Sequence, residues 1–100
     1  MIYPINNKCI IRTNRAGVFF GTLAEFDSTN RIAELHDCRR LWYWEGAASL
    51  SQLANEGVKR PLMCKFTVAV KSIQVMEVIE IIPCTDTAIK NIEEVAVWKN

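Results

Sequence analysis

The chain has 100 residues, 50% of them hydrophobic, with 4 Gly and 3 Pro: enough apolar content for one packed domain over residues 1–100, and too little Gly or Pro for a disordered or collagen-like chain. A chain of this length buries about 65% of its unfolded surface, so the core needs no metal or disulfide to hold it. Twelve basic against eleven acidic side chains leave a net charge of +1, which makes a nucleic-acid polymer a poor partner. The balance is uneven, because residues 1–71 carry ten Lys and Arg against six Asp and Glu, a bias that suits a small phosphorylated ligand.

The apolar runs are only a few residues long, too short to span a bilayer. The start, Met1-Ile2-Tyr3-Pro4, has no basic or apolar leader region, so a cytoplasmic protein without membrane contact is expected. In chain order, Lys8 to Thr13 reads as a strand that ends at a turn through Asn14 and Gly17. Val18 to Asp27 is a second strand, Ser28-Thr29-Asn30 a turn, and Arg31 to about Trp44 a third strand rich in β-formers. Gly46 to Glu56 changes period: Ala47, Ala48, Leu50, Leu53 and Ala54 fit a helix, with Gly57 just past its end. Lys59-Arg60-Pro61 reads as a loop, and Lys65 to Val70 and Ile73 to Ile82 as strands, the second stopped by Pro83. Thr85 or Asp86 caps a helix to about Glu93 with Ala88, Ile89 and Ile92 inside, and Val95, Val97 and Trp98 form an apolar tail. The expected fold class is α+β, a mostly antiparallel sheet with one or two helices packed on it.

The densest chemistry lies between Arg39 and Ser51. Strand alternation puts Arg39, Leu41 and Tyr43 on one face and Arg40, Trp42 and Trp44 on the other, so each face sets a guanidinium beside an aromatic ring. That pairing suits a nucleotide, whose phosphate takes the guanidinium fork and whose base stacks on the ring. The helix start that follows offers the backbone amides of Ala47, Ala48 and Ser49 to a second anionic group. Arg12 and Arg15, around the first turn, complete the candidate ligand-binding set. The same residues also fit a plainer reading, with the tryptophans as core and the alanines as close helix packing.

Catalysis is not expected. His36 and Cys38 share a strand face in the sequence pattern, yet no third group orients them. Neither a phosphate-binding glycine loop nor a nucleophile elbow is present. The four cysteines, at 9, 38, 64 and 84, have no C-x-x-C pair and read as buried thiols, so neither metal nor cofactor is anticipated.

The run Arg40-Leu41-Trp42-Tyr43-Trp44-Glu45-Gly46-Ala47-Ala48-Ser49-Leu50-Ser51-Gln52-Leu53-Ala54 is a specific signature, joined by Cys64-Lys65-Phe66-Thr67-Val68 and Glu80-Ile81-Ile82-Pro83-Cys84-Thr85. On these residues the chain resembles, over nearly its whole length, a family of small phage and prophage proteins; in its small length, lack of catalytic groups and cluster of arginines, aromatics and a helix start it is also similar to the phage anti-Thoeris sponge proteins. The resemblance implies a homo-oligomer, dimer or higher, in a bacterial host cell. It would sequester a cyclic ADP-ribose isomer or a cyclic oligonucleotide made by bacterial defence, without degrading it. Two other readings stand beside it. One is a phage protein that acts on a host protein through exposed aromatics and its apolar tail. The other, a single-stranded nucleic-acid binder, is disfavoured by the near-neutral charge.

Overall fold

Apolar side chains that are buried on both faces in β1 (Lys8–Thr13) and the start of β2 (Val18–Asp27), and that alternate in the first half of β3 (Ile32–Tyr43), draw these strands into an antiparallel meander at the expected places, in a computed structural model that describes residues 3–99. Two short strands, β4 (Lys65–Phe66) and β5 (Val70–Val75), lie along the far side of β3, and β6 (Val78–Pro83) returns to pair with β1. With helices α1 (Leu50–Glu56) and α2 (Asp86–Glu94), the fold is α+β, a six-stranded antiparallel sheet with two helices packed on it.

Three elements differ from the sequence reading. The helix begins at Leu50 rather than near Gly46, because Ser49 caps it by accepting the Gln52 N–H at 3.1 Å. The strand expected from Lys65 to Val70 is interrupted at residues 67–69, and the one expected from Ile73 to Ile82 breaks at Met76-Glu77, where Glu77 takes a positive φ of 57°. The second break matters most. β5 and β6 lie on opposite edges of the sheet yet are joined by two residues, so the sheet must curl until those edges meet. The turns hold that closure: Val78 N–H donates to the Arg31 carbonyl at 3.0 Å and Asn14 N–H to the Glu77 carbonyl at 2.9 Å. The Glu77 carboxylate also receives the Arg15 guanidinium and the Asn14 amide.

A bulge permits the bend. Phe20 pairs with Arg39 and Thr22 with His36, so Gly21 alone opposes Asp37 and Cys38. Asp37 has φ of 51°, and a Cβ on Gly21 would sit 3.0 Å from the Cys38 Cα, so glycine lets the two strands approach. The curled sheet has two cores. Cys9, Ile11, Phe19, Leu23, Leu35, Cys38, Val75 and Val78 fill the inside of the curl. Ile10, Phe20, Leu41 and Phe66 pack outward against Leu53, Ala54, Ala88 and Ile92 of the helices. The helices are latched together by Asn91, whose amide exchanges two hydrogen bonds with the Val58 backbone, at 2.7 and 2.9 Å. A Cβ at Gly57, where φ is 76°, would collide with that side chain.

Arg39 joins the layers. Its side chain is buried, and its five N–H groups reach five carbonyls: Nε to Thr67, Nη1 to Ile92 and Val95, Nη2 to Phe66 and Ala96. Two of these belong to the end of α2, where carbonyls lack helical partners and the helix supplies no basic side chain of its own. Burial lowers the basicity of the guanidinium, but this donor set lets it stay charged without a carboxylate. Truncating Arg39 leaves several buried acceptors unpaired, so Arg39→Ala will lose about 3–5 kcal/mol. The midpoint of urea unfolding checks this, and Arg39→Lys, which keeps the charge but not the fork, will recover only part of the loss.

Candidate functional site

The interruption of the β4–β5 edge at residues 67–69 leaves an opening on the curled sheet's inner side. A cleft of about 210 Å³ lies there, walled by Phe19, Cys38, Arg40, Thr67, Val68, Val70 and Ile73. A second hollow of about 330 Å³ adjoins it and shares Phe19, Arg40 and Ile73, continuing to Arg15, Gln74, Met76 and Glu77. Arg40 therefore stands on the ridge between the two. Its guanidinium lies 4.8 Å from the centre of the Phe19 ring, and among the described residues it forms no ion pair and donates no side-chain hydrogen bond. Its backbone is fixed on both sides, since Arg40 N–H donates to the Thr67 hydroxyl at 3.0 Å and Thr67 N–H to the Arg40 carbonyl at 3.1 Å.

Beside this groove the Leu41–Phe66 and Tyr43–Lys65 pairs leave Trp42 as an extra residue, bulged outward and 60% exposed. Trp98 stacks on it, with ring centres 5.6 Å apart and planes 22° from parallel. The Lys65 ammonium lies 5.2 Å from the Trp42 ring and 5.5 Å from the Trp98 ring. Trp98 reaches this place because the tail pairs with β4: Val97 bridges Phe66, and Trp98 N–H donates to the Phe66 carbonyl at 2.9 Å.

Of the nine residues expected to bind ligand, Arg40 and Arg15 line the groove and Trp42 lies exposed two residues along the strand from Arg40. The others go elsewhere. Arg39 is spent on carbonyls inside the fold, which removes it from any ligand role. Arg12 is paired with Glu80 at 2.7 Å, and within the groove Arg15 is itself paired with Glu77 at 2.8 Å. Trp44 and Ala47 pack against the helix core. The amide expected from Ala48 is taken by the Gln52 side chain at 2.9 Å, and the Ser49 hydroxyl serves as the helix cap. The groove instead uses Phe19, Thr67, Val68, Val70 and Ile73. These are ordinary strand residues in the sequence, and only the break in the edge brings them together. Lys65 was equally hidden, whereas Trp98 stands out in the sequence as part of an apolar tail.

His36 and Cys38, which the alternation places on one face, are separated by the Asp37 bulge. His36 is exposed and bonded to Glu34 at 2.9 Å, whereas Cys38 is buried. Burial pushes the Cys38 thiol up to about 12, with a small opposing pull from Arg40, and the thiols of Cys9 and Cys84 up to about 11 and about 12. At pH 8 a thiol at about 12 is ionised in roughly one molecule in ten thousand. Iodoacetamide will therefore leave Cys38 unmodified in the folded chain and alkylate it in urea. Peptide mass mapping reads the difference, and rapid labelling of folded protein at Cys38 would contradict the assignment.

No helix among the described residues is long and apolar enough to cross a membrane. No curated protein and no solved structure matches the chain. Over residues 6–92 it matches the model of a domain of unknown function, DUF6948, and the chain belongs to that family.

Proposed function

We propose that this chain binds and holds a small phosphorylated nucleotide without altering it. This is the behaviour of a phage sponge for a cyclic ADP-ribose isomer or a cyclic oligonucleotide, acting in the bacterial cytoplasm. The observation that carries the reading is Arg40: a guanidinium laid on the Phe19 ring, unpaired among the described residues, between two largely apolar hollows. A guanidinium presents a planar fork that matches phosphate oxygens, and its seat on a ring limits the side-chain freedom lost on binding. Ligand pockets usually enclose about 300–1,000 Å³, so the 210 Å³ cleft is small alone and adequate together with its neighbour. At the far end the Gln74 amide suits hydroxyl or amino groups of a ribose or base, whereas the Glu77 carboxylate is already held by Arg15 and Asn14. The thiol in the cleft is held protonated, which fits a holder rather than a nucleophile.

Calorimetry and thermal shift against ADP-ribose, its cyclic isomers, and cyclic di- and trinucleotides test the reading. A ligand at a hundred times its Kd will raise apparent stability by about 2.7 kcal/mol, and it will be recovered intact. Arg40→Ala will weaken binding roughly ten- to a hundredfold, while Arg12→Ala, outside the groove, will not. Recovery of altered nucleotide, or equal binding by Arg40→Ala, would defeat the proposal. A second reading, contact with a host protein, is favoured by the exposed Trp42–Trp98 stack, because bulged aromatics with a cation have the composition of binding hot spots. A flat nucleotide panel, with host-protein capture lost in Trp42→Ala, would favour it instead.

A further inference from the structure

We infer that the outer edge of β5 is a docking site for a second copy of this chain, the two β5 strands pairing antiparallel about a two-fold axis. β5 is hydrogen-bonded along one side only, to β3, and among the described residues nothing pairs with its other side from Val70 to Val75. The remaining edges are protected. β4 is covered by the tail through Val97 and Trp98. β6 carries Pro83 and an extra residue, Ile79, opposite β1, and both devices discourage further pairing. β5 has neither. Its sequence, Val70-Lys71-Ser72-Ile73-Gln74-Val75, holds three β-branched aliphatic side chains and a single charge, and its register against β3 is unbroken.

The edge is also complementary to itself. Two-fold pairing keeps the faces of the joined sheet continuous, so each residue must oppose one an even number of positions away. Centred on Ser72, the pairing sets Lys71 against Ile73. Centred on Ile73, it sets Lys71 against Val75. Neither register opposes like charges. A six-residue strand alone is short of the roughly 1,200 Å² that a stable interface buries in total. Val68 and Met76, 60% and 61% exposed, flank the edge, and Val70 is 43% exposed at its start, which adds apolar area where it is needed. Val70 and Ile73 also wall the cleft, so the second copy would close the groove on its open side. That last consequence rests on the nucleotide reading; the pairing itself does not.

Sedimentation velocity of the full chain over a concentration series, without ligand, tests the pairing. The wild type is expected to show a monomer–dimer equilibrium. The double variant Ser72→Lys, Gln74→Lys will shift it roughly tenfold toward monomer, since residue 72 faces its own copy in one register and residue 74 in the other. Both side chains are exposed, so at a concentration low enough for the wild type to be monomeric the two melting temperatures will match. Trp98→Ala will leave the dimer intact. A wild-type chain that stays monomeric overturns the inference and leaves the edge to another protein's strand. So does a dimer that survives both lysines or is lost in Trp98→Ala, or an assembly larger than two.

Discussion

The buried guanidinium of Arg39 is the constraint on which the arrangement of layers depends. A charge inside a small protein is costly unless every donor is satisfied, and here all five N–H groups are. The partners come from three places remote in sequence: the short strand β4 with the break after it, the last turn of α2, and the start of the tail. No one of these has enough apolar area to dock firmly alone. β4 is two residues long, and the tail makes a single bridge to it. Their unpaired carbonyls would be a liability under a helix, and Arg39 converts that liability into a specific attachment. Apolar packing by Phe66 and Ile92 supplies the larger share of burial, but it is the fork that fixes which carbonyls meet.

The curl of the sheet has a different origin. A meander of three strands with a helix layer on one face would leave its other face wet. This chain instead folds the sheet over so that Phe19, Leu35 and Val75 meet inside it. The bend needs a place where two residues oppose one, supplied by Gly21 against Asp37 and Cys38, and a two-residue corner with a positive φ, supplied by Glu77. Glu77 is not glycine, and the left-handed backbone there is strained for such a side chain. Its carboxylate offsets this by holding Arg15 and Asn14, which lowers its own proton affinity and ties the corner to the first turn.

Much of this was legible in the sequence where a rule is local. The first three strands follow from their β-forming runs and the turns between them, the second helix from Thr85 and the spacing of Ala88 and Ile92, and the end of the first helix from Gly57. What failed depended on distant partners. Ile73 to Ile82 looks like one apolar strand because nothing in it marks Met76-Glu77 as a corner; the corner exists because two turns far away in sequence bond to it. The candidate site shows the same division. Alternation correctly put Arg39 and Arg40 on opposite faces, but it does not say which face a helix covers. Both arginines have the same neighbours in sequence and opposite fates in the fold, one buried among carbonyls and one exposed on a ring.

Those two fates are linked through Thr67. Its carbonyl accepts the Arg39 Nε–H at 2.9 Å, its hydroxyl accepts the Arg40 N–H, and its own N–H donates to the Arg40 carbonyl. Thr67 belongs to the break in the sheet edge that opens the cleft, and such a break would ordinarily be its loosest part. Here the residue that opens the cleft is pinned from beneath by the buried arginine and from the side by the backbone of the exposed one. The cation that faces the groove therefore stands on a rigid base, with little backbone freedom left to it. A loop could present an arginine equally well to solvent, but it would hold it less rigidly. Holding the cleft open is thus a property of the fold's interior, and the adjacency of Arg39 and Arg40 on one strand is what connects stability to the site.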